Sequence, residues 1–302
     1  MQNKGQLQAH LCLICSGIFW GLMAPVGKDA MLHGIDGIDL VSFRVLGGAV
    51  LFWLTSFFTP RQHVPVRDIF LMAGAGLFAL VLNQCSYTIG LSLTSPSNSS
   101  IMTTSMPIFA MILSFLILKE PITWKKAIGV MLGCSGAIII ILTSASASNV
   151  KVGNIWGDLL CITAQMSFAL YLSLFKPLVS RYSLFTLNKW MFTWASVFIW
   201  PFTFTHVADI DFAHVPALTW WETAYVVFFG TYLAYICMMI GQKSLRPTVV
   251  SVYNYIQPIV AVTVSILAGL AILKPSQAVA AILVFTGVWL VVKSRAKEHV
   301  KN

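Results

Sequence analysis

Two short stretches carry polar groups at helical spacing inside otherwise apolar sequence. Ser100, Thr103, Thr104 and Pro107 follow the i, i+3, i+4, i+7 pattern of one helix face, and Ser251, Asn254, Tyr255 and Pro258 repeat it 151 residues later. Hydroxyl, amide and phenol groups in such positions orient a solute through hydrogen bonds. Proline removes a backbone N–H and displaces the carbonyl four residues back, so the carbonyls of Thr103 and Asn254 are expected to be freed within the polar faces. In hydrocarbon a freed carbonyl is costly unless protein or water satisfies it. A wet cavity at two kinks is therefore the first reading, and a plain packing kink the second.

Other residues join these two faces by type. Trp20, Asn83, Gln84, Tyr87, Gln165, Tyr171, Tyr232, Tyr235, Tyr253 and Gln257 all fall inside apolar runs. Rings for stacking and amides for orientation suit a partly apolar, zwitterionic solute, although each alone serves equally well as an interhelical hydrogen bond or an interfacial anchor. Arg44 and Lys189 lie in corresponding runs of the two halves. An intramembrane cation needs a carboxylate, a carbonyl or a substrate anion; Lys189, near a run's end, reads rather as snorkelling to the interface. The substrate-binding set is thus Trp20, Arg44, Asn83, Tyr87, Thr103, Tyr171, Tyr235, Asn254, Tyr255 and Gln257, with Pro107 and Pro258 as gating or kink positions. Glu120 reads as stabilising a helix N-terminus ahead of Pro121. No carboxylate lies near the middle of any run, which leaves proton coupling through a buried Asp or Glu without support.

These residues need elements to hold them. Apolar residues make up 58% of the 302-residue chain, charged residues 10%, and mean hydropathy is +0.82. A soluble protein carries about 25% charge, so an aqueous globule is excluded. Ten apolar runs, near 7–27, 38–58, 69–90, 97–118, 124–143, 154–175, 185–204, 220–241, 248–270 and 275–293, each approach a bilayer-crossing length. The first is too long for a signal peptide's apolar core and lacks a clear cleavage site, which makes it an uncleaved span. Cys12, Cys15, Cys85, Cys134, Cys161 and Cys237 all fall inside runs without metal-site spacing and read as packing residues. The pairs Gly17/Gly21 and Gly129/Gly133 allow close helix approach. Residues 21–28 resemble a phosphate loop only superficially, with one residue too many and Asp29 where Ser or Thr is needed. With no catalytic or nucleotide-binding motif, no enzyme reading and no cofactor is expected.

The net charge of +9 is a topology signal rather than a nucleic-acid footprint. With ten spans and the N-terminus inside, Lys4, Arg61, Arg67, Lys119, Lys125, Lys126, Lys176, Arg181, Lys243, Arg246, Lys293, Arg295, Lys297 and Lys301 share the cytoplasmic side. Lys28, Lys151 and Lys274 lie opposite, among Asp29, Asp36, Asp39, Asp209, Asp211 and Glu222. This is the positive-inside distribution. Residues 79–136 also match 230–287 at the constant offset of 151: Ile89 meets Ile240, Gly90 Gly241, Pro96 Pro247, Pro107 Pro258 and Gly136 Gly287. The expected fold is all-α integral membrane: ten transmembrane helices as two inverted five-helix repeats, 1–148 and 149–302, with both termini inside.

Phe19-Trp20-Gly21 with Lys28, Phe43-Arg44, and Pro107 followed by Leu118-Lys119-Glu120 mark the first half. Gly157-Asp158-Leu159, Phe168-Ala169-Leu170-Tyr171, Gly230-Thr231-Tyr232-Leu233-Ala234-Tyr235, Pro258 and Gly287-Val288 mark the second. In order and spacing these resemble the EamA type of the drug/metabolite transporter superfamily over essentially the whole chain. The resemblance implies a ten-helix exporter of amino acids or related metabolites with a central cavity between the halves. One departure is visible: the family's second-copy glutamate aligns with Ala271, flanked by Leu273-Lys274-Pro275.

The function expected is a secondary transporter exporting a small amphipathic metabolite, such as an amino acid, across the cell (inner) membrane by alternating access. Nucleotide-sugar or drug transport on the same fold is the alternative, for which Arg44 and Lys189 are few cations; a non-transporting scaffold or receptor is the third. Expected partners are a small-molecule substrate and the lipid bilayer, with no nucleic acid, the chain being a monomer or a homodimer.

Overall fold

Apolar sequence in a bilayer must satisfy its backbone groups internally, and this chain does so as helices. The computed structural model describes residues 2–94, 99, 102–145, 155–267 and 275–294, among which there is no strand. Ser100 of the first polar face, the boundary at 148/149, and Ala271, Leu273 and Lys274 lie outside the described residues. The helices are α1 (Gln2–Leu32), α2 (Gly37–Ser56), α3 (Val66–Leu93), α4 (Met106–Leu118), α5 (Trp124–Ala145) and α6 (Ile155–Leu174). A six-residue helical connector, Lys176–Arg181, leads to α7 (Leu184–Ala208), α8 (Ala217–Ser244), α9 and α10 (Pro275–Lys293). α9 has three parts: Pro247–Val252, a 3-10 turn at Tyr253–Tyr255, and Ile256–Leu267.

Local chemistry sets the ends. Asp36 caps α2 by accepting from the N–H groups of Ile38 and Asp39, while the Asp39 carboxylate accepts from the Asp36 N–H. Gly34, at φ +103, makes the turn before it. α4 stops at Lys119, a left-handed residue at φ 58, with Glu120 N–H returning to the Ser114 carbonyl at 3.1 Å. Among the described residues five helices, 4–32, α2, α3, α6 and α8, are long and apolar enough to cross a membrane. The outer surface of the bundle is apolar, with Leu54, Phe70, Met131, Phe202, Ile282 and Phe285 exposed, while Ser42, Arg44, Gln84, Thr88, Thr103, Asn188 and Thr231 are buried. Polar inside and apolar outside is the arrangement of a bundle surrounded by lipid.

Packing within α1–α5 recurs in α6–α10 with the partners exchanged. α1 lies against α8 and α9 as α6 lies against α3 and α4; α3 meets α7 as α8 meets α2; α2 pairs with α7 and α5 with α10. Missing side chains permit the closest approaches. A Cβ on Gly129 would stand 2.7 Å from the Gly287 carbonyl oxygen, and one on Gly136 2.6 Å from that of Ala280. Gly129 and Ala280 are 151 residues apart, as are Gly136 and Gly287, so the α5–α10 contact reads the same from either helix. Gly21 leaves room for the Gln257 carbonyl, and Gly133 for the Tyr255 ring. Gly133→Leu drives a side chain into that ring and is expected to cost about 1–3 kcal/mol. It should lower the melting temperature of the detergent-solubilised protein; an unchanged melt would mean that α5 and α9 do not meet there.

Candidate functional site

Widened turns in α3 and α8 shape the centre of the bundle. Leu77–Cys85 and Phe228–Leu233 are π-helical, and their first residues again stand 151 apart. A π turn takes carbonyls out of the α-helical ladder and makes them available to side chains, which is why such turns gather at functional sites. The carbonyl of Ala79 accepts from Tyr235 Oη at 2.9 Å, and that of Gly230, its equivalent, from Trp20 Nε1 at 2.9 Å. Phe78 O accepts from Ser167 Oγ at 2.7 Å, and Val226 O from Thr231 Oγ1 at 3.0 Å. Gln84 Nε2 donates to Tyr235 Oη at 3.1 Å across a separation of 151, so two equivalent positions of the halves touch each other.

Around these contacts lies a cavity lined by Trp20, Met23, Arg44, Asn83, Gln84, Tyr87, Thr103, Gln165, Phe168, Tyr235, Asn254 and Gln257. α1, α2, α3, α6, α8 and α9 all contribute, with Thr103 from the segment just before α4. Trp20 stands edge-on to Phe168 and to Tyr235, with centroids 6.2 and 6.1 Å away. Asn83 donates to the Ala164 carbonyl at 2.9 Å, tying α3 to α6. Arg44 is the one charged residue among the lining residues; its Nε donates to Thr231 Oγ1 and a terminal nitrogen to Thr88 Oγ1, both at 3.1 Å.

Eight of the ten residues expected from the sequence therefore meet at one place: Trp20, Arg44, Asn83, Tyr87, Thr103, Tyr235, Asn254 and Gln257. Tyr171 and Tyr255 lie elsewhere, which corrects that expectation. Tyr171 turns its hydroxyl to Gln242 Oε1 at 3.0 Å, and Tyr255 reaches the Val130 carbonyl at 3.1 Å with its ring beside Gly133. Each phenol spans between helices instead of facing the cavity. Tyr253 likewise leaves, its hydroxyl 2.6 Å from His10 Nδ1, and Ser251 bonds the Thr248 carbonyl of its own helix. α9 thus brings only Asn254 and Gln257 to the cavity wall, fewer than its polar composition promised.

The prolines differ from expectation too. Pro107 stands in the first turn of α4, after a turn at Thr104–Ser105, and Pro258 in the first turn of the helix that follows the 3-10 turn of α9. Each starts a helix instead of kinking a continuous one, because a first turn loses nothing to a missing N–H. Lys189 lies over the Trp53 ring at 4.7 Å, away from the cavity. Glu120 pairs with the buried Lys126 at 2.9 Å and accepts from Thr248 Oγ1 at 3.3 Å. Met23 and Phe168 were missed, although each stands three residues beyond a named candidate, Trp20 and Gln165, on the same helix face.

Two lysines tie helix ends together. Lys28 Nζ donates to the carbonyls of Leu91, Ser92 and Thr94, at 2.9, 3.1 and 3.3 Å, where α3 finishes. Lys176 Nζ donates to the Gln242 carbonyl and, at 2.9 Å, to that of Leu245, where α8 finishes. Leu91 and Gln242 are equivalent at the offset of 151, as are Thr94 and Leu245. Burial pulls the Lys176 ammonium down to about 8, against the opposing effect of Glu120.

A model of the EamA-like transporter family matches residues 7–142 and again residues 155–293. The uncharacterized transporter YetK of Bacillus subtilis is 24% identical over 90% of this chain and 82% of its own length. The uncharacterized transporter YyaM of the same organism is 26% identical over 70% of each chain. An uncharacterized transporter of Archaeoglobus fulgidus is 23% identical over 96% of this chain and all of its own. A solved crystal structure shares the fold, with a TM-score of 0.74 over 94% of this chain and 96% of that one at 14% identity.

Proposed function

The chain belongs to the EamA-like transporter family, and from that premise we propose that it exports a small amphipathic metabolite through the central cavity by alternating access. It is a multi-pass membrane transporter and not an enzyme. In the proposal it spans the inner cell membrane ten times, as two inverted repeats divided at 148/149, with both termini in the cytoplasm. The observation that carries the reading is the central cavity itself, walled by helices of both halves and reached by equivalent contacts at Ala79 and Gly230. Odd-numbered repeats place equivalent ends on opposite faces of a membrane, so one fold supplies two alternative gates. The Lys28 and Lys176 contacts are those gates: each holds the end of α3 or α8 over one mouth, and releasing one while keeping the other opens the cavity to a single side.

Comparing metabolites in the medium and in cells of a deletion strain tests the reading. One amphipathic species is expected to accumulate inside and fall outside, with recovery by the intact gene. Asn254→Ala should restore it about tenfold less well at equal membrane abundance, the loss of one to two hydrogen bonds to a solute. No metabolite changing compartment would favour a scaffold or receptor.

A further inference from the structure

We infer that the transported solute is an organic monoanion, a carboxylate on a flat apolar body, and that Arg44 is its counter-ion. This rests on the cavity being the substrate site. Arg44 is buried, 4% exposed, in the middle of α2. A guanidinium carries five N–H donors; two are used by Thr231 and Thr88, leaving three for the cavity. Among the described residues no carboxylate lies within ion-pair distance of it, and none lines the cavity. Of the ten acidic residues in the chain only Glu298, in the C-terminal tail, lies outside the described set. The protein therefore keeps an uncompensated cation in its interior, where a charge is costly unless paired.

The rest of the wall has the chemistry to complete such a solute. Trp20, Phe168, Tyr87 and Tyr235 offer ring faces and edges to a planar body. Gln84 is 1% exposed and its Oε1 has no hydrogen-bond partner, an acceptor suited to an N–H or O–H on that body. A monoanion neutralises the cavity. A zwitterion leaves it with the net charge of Arg44, and a cation doubles that charge in a low-dielectric site. Nucleotide sugars, with two phosphates, would want more cations than one.

Three probes with one aromatic body separate the cases: 3-phenylpropionate, phenylalanine and phenethylamine, each at millimolar concentration with the purified full-length protein in detergent. The readout is the ligand-induced rise in melting temperature. 3-Phenylpropionate is expected to protect most and phenethylamine not at all. Arg44→Gln should weaken protection by 3-phenylpropionate about tenfold or more, with Arg44→Lys intermediate, while both variants melt cooperatively without ligand. Protection by phenylalanine or phenethylamine with 3-phenylpropionate inert would overturn the anionic class and leave the cavity as a substrate site. Equal protection of Arg44→Gln and the parent would remove Arg44 from recognition. Protection by none of the three would overturn the aromatic carboxylate class, while the efflux comparison decides independently whether the protein transports.

Discussion

Arg44→Gln is expected to abolish most transport while leaving the protein as stable as the parent or more so. The two effects diverge for one physical reason. An arginine held in the interior with only two hydroxyl partners costs desolvation that no protein carboxylate offsets. A neutral amide of shorter reach removes that cost, so melting temperature should hold or rise. Transport should fall about 10- to 100-fold, the size of one or two charge-assisted hydrogen bonds lost to a solute. Flux into proteoliposomes and a thermal melt, made on the same preparations, decide the matter. If Arg44 only braces α2 against α3 and α8, the pattern inverts: stability drops and the flux per folded molecule survives.

Lys28→Met and Lys176→Met are expected to bias the protein in opposite directions. Lys28 gathers three carbonyls at the end of α3, and Lys176 gathers two at the end of α8. A methionine fills similar space but donates nothing, so each variant frees one mouth and leaves the other held. One or two charge-assisted hydrogen bonds shift a two-state equilibrium by about 10- to 100-fold. A reporter makes the shift visible: Gln165→Cys at the cavity wall, with Cys12, Cys15, Cys85, Cys134, Cys161 and Cys237 replaced. Its alkylation by a membrane-impermeant reagent should accelerate from one side in Lys28→Met and from the other in Lys176→Met. Acceleration from the same side in both would show that the two contacts are not counterpart gates. Because burial brings Lys176 down to about 8, its contact should also weaken as pH rises through that value; thiolate formation speeds the reporter equally from both sides, so the expected sign is a ratio of labelling at that mouth to labelling at the other that is higher at pH 9 than at pH 7.

Much of the site was legible because membrane sequence is chemically sparse. Trp20, Arg44, Asn83, Thr103, Asn254 and Gln257 stand out against an apolar background, and polar groups there have few reasons to exist beyond the interior. Tyrosine is the ambiguous type: its ring suits lipid, core and cavity alike, so Tyr171 and Tyr255 could be sorted from Tyr87 and Tyr235 only by where their hydroxyls find partners. Met23 and Phe168 were hidden for the converse reason, since an apolar lining residue and a lipid-facing one look the same. The π turns left no trace, because one widened turn shifts the register by a single residue within a run that is apolar on every side. The Lys28–Lys176 equivalence was masked by arithmetic: these two stand 148 residues apart, not 151, and so fall outside the stretch where the repeat aligns. What linked them was that their acceptors do obey the offset of 151.

The measurement closest to the central claim is the reactivity of Gln165→Cys from each side of oriented vesicles, with both lysines intact. A cavity that opens alternately predicts labelling from either side, each suppressed by saturating substrate. Labelling from one side alone under every condition, or from neither, would contradict alternating access through this site.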